Sequence, residues 1–248
     1  MDPNIRSRRI VLGWGAALAA GALGACGVPA AGPSPPSPPP PPPPPPPRRA
    51  PHEIVHGPRT RDAVALTFHG AGDPELTLQA LGAFRAAGAQ GTVLAVGTWL
   101  AANPDLAARI TGEGHELGNH TYTHPTLPDL GASAARAEIE RCRDVLDRLT
   151  GSPGRWFRPS GTPHATGLIL RLAAAAGYPV CLSYDVDPLD YTDPGAAAVL
   201  STTLAGVRPG SIVSLHFGHE GTIAAMPALL SGLRERGLTP VTMTELIA

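Results

Sequence analysis

His120 and His124 form the strongest chemical signal in the chain. Imidazole nitrogens at this spacing can meet at one metal ion, about 2.0–2.1 Å from it in a zinc site. The plainer reading is two polar loop residues. Their position just after an apolar stretch, bracketed by Asn119 and Pro125, favours a metal. Four more apolar stretches end in polar residues suited to hydrolysis or metal binding. Residues 63–68 run into His69, and Trp156-Phe157 runs into Arg158. Residues 180–184 run into Asp185, Asp187 and Asp190, and residues 211–215 run into His216. A histidine titrates near neutral pH and can donate a proton to a departing amine, although a capping role for His216 is the simpler alternative. Arg158 can orient a carboxylate, and the Gly161 amide can face a developing oxyanion, although Arg-Pro-Ser-Gly is also a plain tight turn.

These residues are far apart in sequence, so the elements must bring them together. Strand patterns at 63–68, 91–96, 179–184, 211–215 and 240–242 alternate with helical patterns at 75–87, 99–112, 134–149, 166–176, 195–205 and 222–236. Pro104 either disturbs the helix at 99–112 or begins its second half. Alternation of this kind implies an α/β fold with parallel strands, whose ends on one side share a single cleft.

Composition narrows the partners. Hydrophobic residues at 43% and charged residues at 16% suit a globular core. All 19 basic residues are arginine, and five of them precede residue 50 with only Asp2 against them. The remainder carries 14 basic and 19 acidic residues and has no basic run, so no nucleic-acid partner is expected.

The chain divides into three parts. Residues 1–26 read as an export signal: Ser7-Arg8-Arg9 resembles the twin-arginine type, and Leu23-Gly24-Ala25-Cys26 resembles a lipobox. Cys26 would then carry a lipid anchor on the outer face of a bacterial cell membrane. The apolar run at 11–23 is short for a transmembrane helix, although an uncleaved anchor is the alternative. Residues 27–51 form a proline-rich linker with an unbroken proline run at 38–47, an extended spacer of roughly 60 Å. Residues 52–248 are expected to form one folded domain. Its Cys142 and Cys181 are expected to be packed thiols at least as readily as a disulfide.

Taken together, residues 120–124, 158–161, 187–191 and Leu215-His216 resemble the motif series of the polysaccharide deacetylase family, the NodB-homology or carbohydrate esterase family 4 group. Residues 114–119 and 232–237 agree as flanks. The resemblance covers about residues 61–248. It implies a distorted (β/α) barrel and metal-dependent removal of acetyl groups from N-acetylated glycans. It also implies that His120 and His124 hold the metal and that His216 is the general acid, tuned by Asp190. Arg158 belongs to the catalytic set, and the Gly161 amide to the oxyanion site.

The first motif departs from the family. Thr-Phe-Asp-Asp-Gly is usual, with a general base followed by a third metal ligand, whereas this chain reads Thr67-Phe68-His69-Gly70-Ala71. Three outcomes are open. His69 joins the metal shell and Asp73 assists as base; or His69 is the base and Asp73 the third ligand; or the domain binds glycan without catalysis. The first is preferred, because three histidines plus water form a known catalytic zinc geometry. Cobalt or nickel would also accept this donor set. A metal hydrolase of another amide or ester remains a further alternative.

Overall fold

The computed structural model describes residues 50–248. The expected export signal, Cys26 and nearly all of the proline-rich linker lie outside the described residues. Seven strands appear among the described residues: β1 (His52–Ile54), β2 (Ala63–Gly70), β3 (Thr92–Ala95), β4 (Glu116–Asn119), β5 (Val180–Leu182), β6 (Ile212–His216) and β7 (Thr239–Val241). Every pairing between them is parallel. Strands β4, β3, β2 and β6 run side by side, β7 pairs with the start of β2, and β1 pairs with β5. Single-residue bridges complete the circuit. Phe157 pairs with Asn119 and with Cys181, and Val186 pairs with Val213. The result is the expected distorted (β/α) barrel, continuous on one side and thinly bridged on the other.

Helices fill the crossovers, as parallel strands require. They are α1 (Pro74–Ala87), α2 (Gly97–Ala102), α3 (Pro104–Gly112), α4 (Ala132–Thr150), α5 (Gly167–Ala175), α6 (Ala196–Gly206), α7 (Glu220–Glu235) and α8 (Met243–Ile247). The helical stretch expected at 99–112 is two helices meeting at Asn103. Pro104 starts the second because it supplies no N–H and arrives with φ preset for a first helical turn. β1 and α8 were not anticipated. Each is short, and α8 is set by a capping box between Thr242 and Glu245.

Strand periodicity decides which residues meet. In β2 the outward side chains Val64, Leu66 and Phe68 pack with Leu81, Phe84, Met226 and Leu229 in the layer between barrel and helices. Inward-pointing Ala63 and Ala65 join Leu94, Trp156, Leu182, Ile212 and Met243 in the barrel floor. The alternation continues upward, so Thr67 and His69 face the barrel interior while Gly70 faces the helices. Cys142 and Cys181 are buried free thiols, and burial pushes both up to about 12.

Candidate metal centre

The strand register fixes the first relationship of the site. His69 at the end of β2 lies opposite His216 at the end of β6, with ring centroids 4.1 Å apart. His120 follows β4, one strand beyond β3, and its ring lies 4.2 Å from that of His69. The Nδ1 of His120 is 2.9 Å from the carbonyl oxygen of Arg158. A carbonyl only accepts, so Nδ1 carries the proton and Nε2 is left with a free lone pair. The Nε2 of His124 lies 3.1 Å from that of His120. Two nitrogens bound at about 2.0–2.1 Å to one tetrahedral ion stand roughly 3.3 Å apart, so the pair already has ligand spacing. Donor atoms of His69, His120 and His124 all fall within 4.8 Å of one another.

Their protonation suits metal binding. Burial, and then the neighbouring imidazoles, hold His69 well below the usual value of 6.5. Burial and His124 do the same for His120, and burial lowers His124. The neutral imidazole is the form that binds a metal, and a dense group of neutral donors is what a divalent cation would fill. The three histidines expected to hold the metal are therefore brought together and fit one.

The segment between the two paired histidines is held at every step. Thr121 and His124 adopt positive φ, 67° and 60°, where non-glycine residues are uncommon. Asn119 Oδ1 accepts the Thr121 N–H, and the amides of Gly97 and Thr98 donate to the carbonyls of Thr121 and Tyr122. Glu138 of α4 accepts the N–H groups of Tyr122 and Thr123 on Oε2, at 2.9 and 2.7 Å, and the Thr123 hydroxyl on Oε1 at 2.9 Å. Glu138 gives no local signal in the sequence, because its partners are backbone amides.

His216 and Asp190 also meet. The Nδ1 of His216 is 2.7 Å from Asp190 Oδ1, leaving Nε2 free. Asp190 Oδ2 accepts the His216 N–H and the Thr222 hydroxyl, at 2.8 and 2.6 Å. A cleft of about 440 Å³ opens above, with His69, His124, Gly161, Asp187, Tyr191 and His216 among its walls. A larger groove, about 750 Å³, lies by Pro51, Ala174 and Pro179 but gathers no such chemistry. Gly161 has φ 67°, and a Cβ there would stand 2.6 Å from the Thr126 Cα, so only glycine lets this wall approach.

Two further residues expected at the site are held by partners of their own. Asp73 is the N-cap of α1, accepting the Glu75 N–H at 2.9 Å, and is not part of the histidine group. The chain turns into a helix there, and an aspartate suits the cap in its own right. Arg158 is buried beneath the cleft. Its Nη2 donates to Thr67 Oγ1 at 2.8 Å and to the Ser183 carbonyl at 3.1 Å. Its Nε and Nη1 have no acceptor among the described residues, and burial pushes the guanidinium down to about 10. Gly70 faces a filled space: a Cβ would stand 2.9 Å from Val93 Cγ1 and 3.0 Å from Trp99 Cζ3. The Trp99 indole is pinned there, its Nε1 donating to the Gly72 carbonyl at 2.9 Å.

Comparison with known proteins adds a family. A family profile described as "Polysaccharide deacetylase" matches residues 56–181, just over half the chain and all three clustered histidines. The chain is 30% identical to a peptidoglycan-N-acetylglucosamine deacetylase of Bacillus cereus, over 77% of this chain and 90% of the relative. It is 32% identical to a chitooligosaccharide deacetylase of Bradyrhizobium, over 74% and 88%. Among solved structures, a Bacillus anthracis protein described as a CE4 family pseudoenzyme superposes with TM-score 0.76 at 25% identity, covering 81% of this chain and 70% of that one. A peptidoglycan N-acetylglucosamine deacetylase superposes with TM-score 0.74 at 26% identity, covering 80% and 93%.

Proposed function

Because the chain belongs to the polysaccharide deacetylase family, we propose that it is a metal-dependent hydrolase removing acetyl groups from an N-acetylated cell-envelope glycan. The observation that carries this reading is the convergence of His69, His120 and His124, with two Nε2 atoms at ligand spacing. Zinc is the first choice of ion for an all-imidazole set, with cobalt and nickel acceptable. When bound, the ion would acidify a water towards pKa 7 and polarise the acetyl carbonyl.

The chain's own groups supply the rest. Asp190 holds the Nδ1 face of His216, so Nε2 is the nitrogen that can give a proton to the departing amine. The net reaction consumes water and releases acetate and a free amine. Gly161 brings a backbone amide into the cleft wall, where an N–H can stabilise oxyanion charge. Asp73 is engaged as the cap of α1, so in this reading the histidine set carries more of the activation than the family's usual first motif would require. Arg158 acts below the cleft, through Thr67 and the Ser183 carbonyl.

A second reading rests on the changed first motif: a glycan-binding wall lipoprotein that no longer turns over. The filled space at Gly70 and the resemblance to a pseudoenzyme support it. Purified protein, loaded with zinc or chelated, separates the two on N-acetylglucosamine oligomers. Metal-dependent acetate release that vanishes in His120→Ala supports the hydrolase; glycan binding without release supports the module. A panel of other N- and O-acetyl compounds tests for a different amide or ester substrate. The leading segment adds a location to either reading: export and a lipid on Cys26.

A further inference from the structure

Glu138 has no part in the chemistry described above, yet it is a carboxylate buried at 9% exposure on a helix that otherwise packs apolar residues against the barrel. It forms no ion pair among the described residues. The guanidinium one turn along, Arg141, lies instead over the Tyr122 ring at 3.7 Å. A buried carboxylate without a cation is expensive unless strong donors surround it. Here the donors are two amides and one hydroxyl, all from Tyr122 and Thr123. These two residues separate the positive-φ positions Thr121 and His124. Backbone in such conformations persists only where its surroundings over-determine it.

We infer that Glu138 is a positioning residue for the metal centre: it clamps the Tyr122–Thr123 backbone and so sets the reach of His124 towards His120. The inference rests on the metal reading of the histidine cluster. It assigns to a helix outside the cleft part of the ion's affinity, because a ligand that must first be ordered binds more weakly by the cost of ordering it. Partners behind the ligands of a metal site commonly matter by about 10–100-fold in affinity.

The test compares zinc affinity, by competition with a chromophoric chelator, and melting of the metal-free protein for full-length wild type, Glu138→Ala, Glu138→Gln and Val145→Ala. Val145 is a core residue farther along α4 and calibrates a plain loss of stability. Glu138→Ala should weaken zinc by about tenfold or more. Glu138→Gln, whose amide oxygen still accepts both N–H groups, should stay within about threefold. Val145→Ala should bind as wild type. Unchanged affinity in Glu138→Ala, or an equal loss in Val145→Ala at the same melting temperature, overturns the inference. Should Glu138→Ala fail to fold, Thr123→Val removes one of the three bonds from an exposed residue; weaker zinc binding supports the clamp and unchanged binding overturns it. Should wild type bind no divalent ion, the metal reading fails by itself, and imidazole resonances of His124 in the metal-free protein decide the clamp. A shift or broadening in Glu138→Ala supports it, and identical spectra overturn it.

Discussion

Trp99 lays the edge of its indole 3.0 Å from the point where a Cβ on Gly70 would stand. Val93 is 2.9 Å away and the Ala95 Cα 3.1 Å, so the position is closed by backbone as well as side chains. Gly70→Ala should therefore destabilise the domain by about 1–3 kcal/mol, the usual range for overpacking. Gly70→Asp should destabilise it further and leave zinc affinity no tighter. Denaturant melts and a chelator competition measure both, and tighter zinc binding in Gly70→Asp would show that Trp99 yields.

Arg158 presents a different case. Its guanidinium is buried, two of its nitrogens lack acceptors, and His69 lies on the same inward face of β2 as its partner Thr67. A carboxylate at position 69 would face this cation. His69→Asp is expected to stabilise the metal-free protein at neutral pH by about 1–3 kcal/mol, since it pairs a charge now buried alone. Zinc affinity should fall in the same variant, because an imidazole is lost. A lower melting temperature would contradict the expectation.

Removal of the ion should silence the protein. Chelation, or alanine at His69, His120 or His124, should reduce acetate release to background, and added zinc should rescue the chelated wild type alone. Full activity in a metal-free preparation would refute the proposed function.

His216 and Asp190 can be separated kinetically. His216→Ala should lower kcat by about 10²–10⁴-fold, the usual worth of a general acid. Asp190→Asn places an amide N–H where three donors now converge, so it should displace the ring and lower kcat with little change in KM. An Asp190→Asn protein with wild-type kcat would leave His216 without its supposed support.

Acid should weaken the metal-free fold. His69 and His120 are held below the ordinary 6.5 in the folded state, by burial first. Below that value the unfolded chain takes up protons that the folded one refuses. Stability is therefore full above about pH 6.5 and declines as pH falls, by up to about 1.4 kcal/mol per unit for each such histidine. Melting from about pH 8 to about pH 5.5 checks the sign, and a His69→Ala/His120→Ala double variant should flatten the slope. A wild-type curve that rises on acidification would contradict it.

Much of this architecture was legible in residue order. Strand and helix alternation was clear because parallel strands carry unbroken apolar runs and the crossover helices end at glycines such as Gly88 and Gly151. The histidine group was legible because His69 and His120 sit at strand ends and His124 follows His120 by four residues. Asp73 was ambiguous because aspartate caps helices as readily as it serves catalysis. Glu138 stayed hidden because amides, which every residue owns, leave no trace in a sequence. The closed space at Gly70 depends on Trp99, twenty-nine positions away, and on register that no single segment encodes.

The pairing of His69 with His216 across neighbouring strands has a last consequence. Their separation is set by strand register, with Asp190 fixing the His216 ring. Surface turns around the cleft other than the Asp190 turn could be shortened, lengthened or exchanged to redesign which sugars are admitted, while the spacing between these two rings would survive.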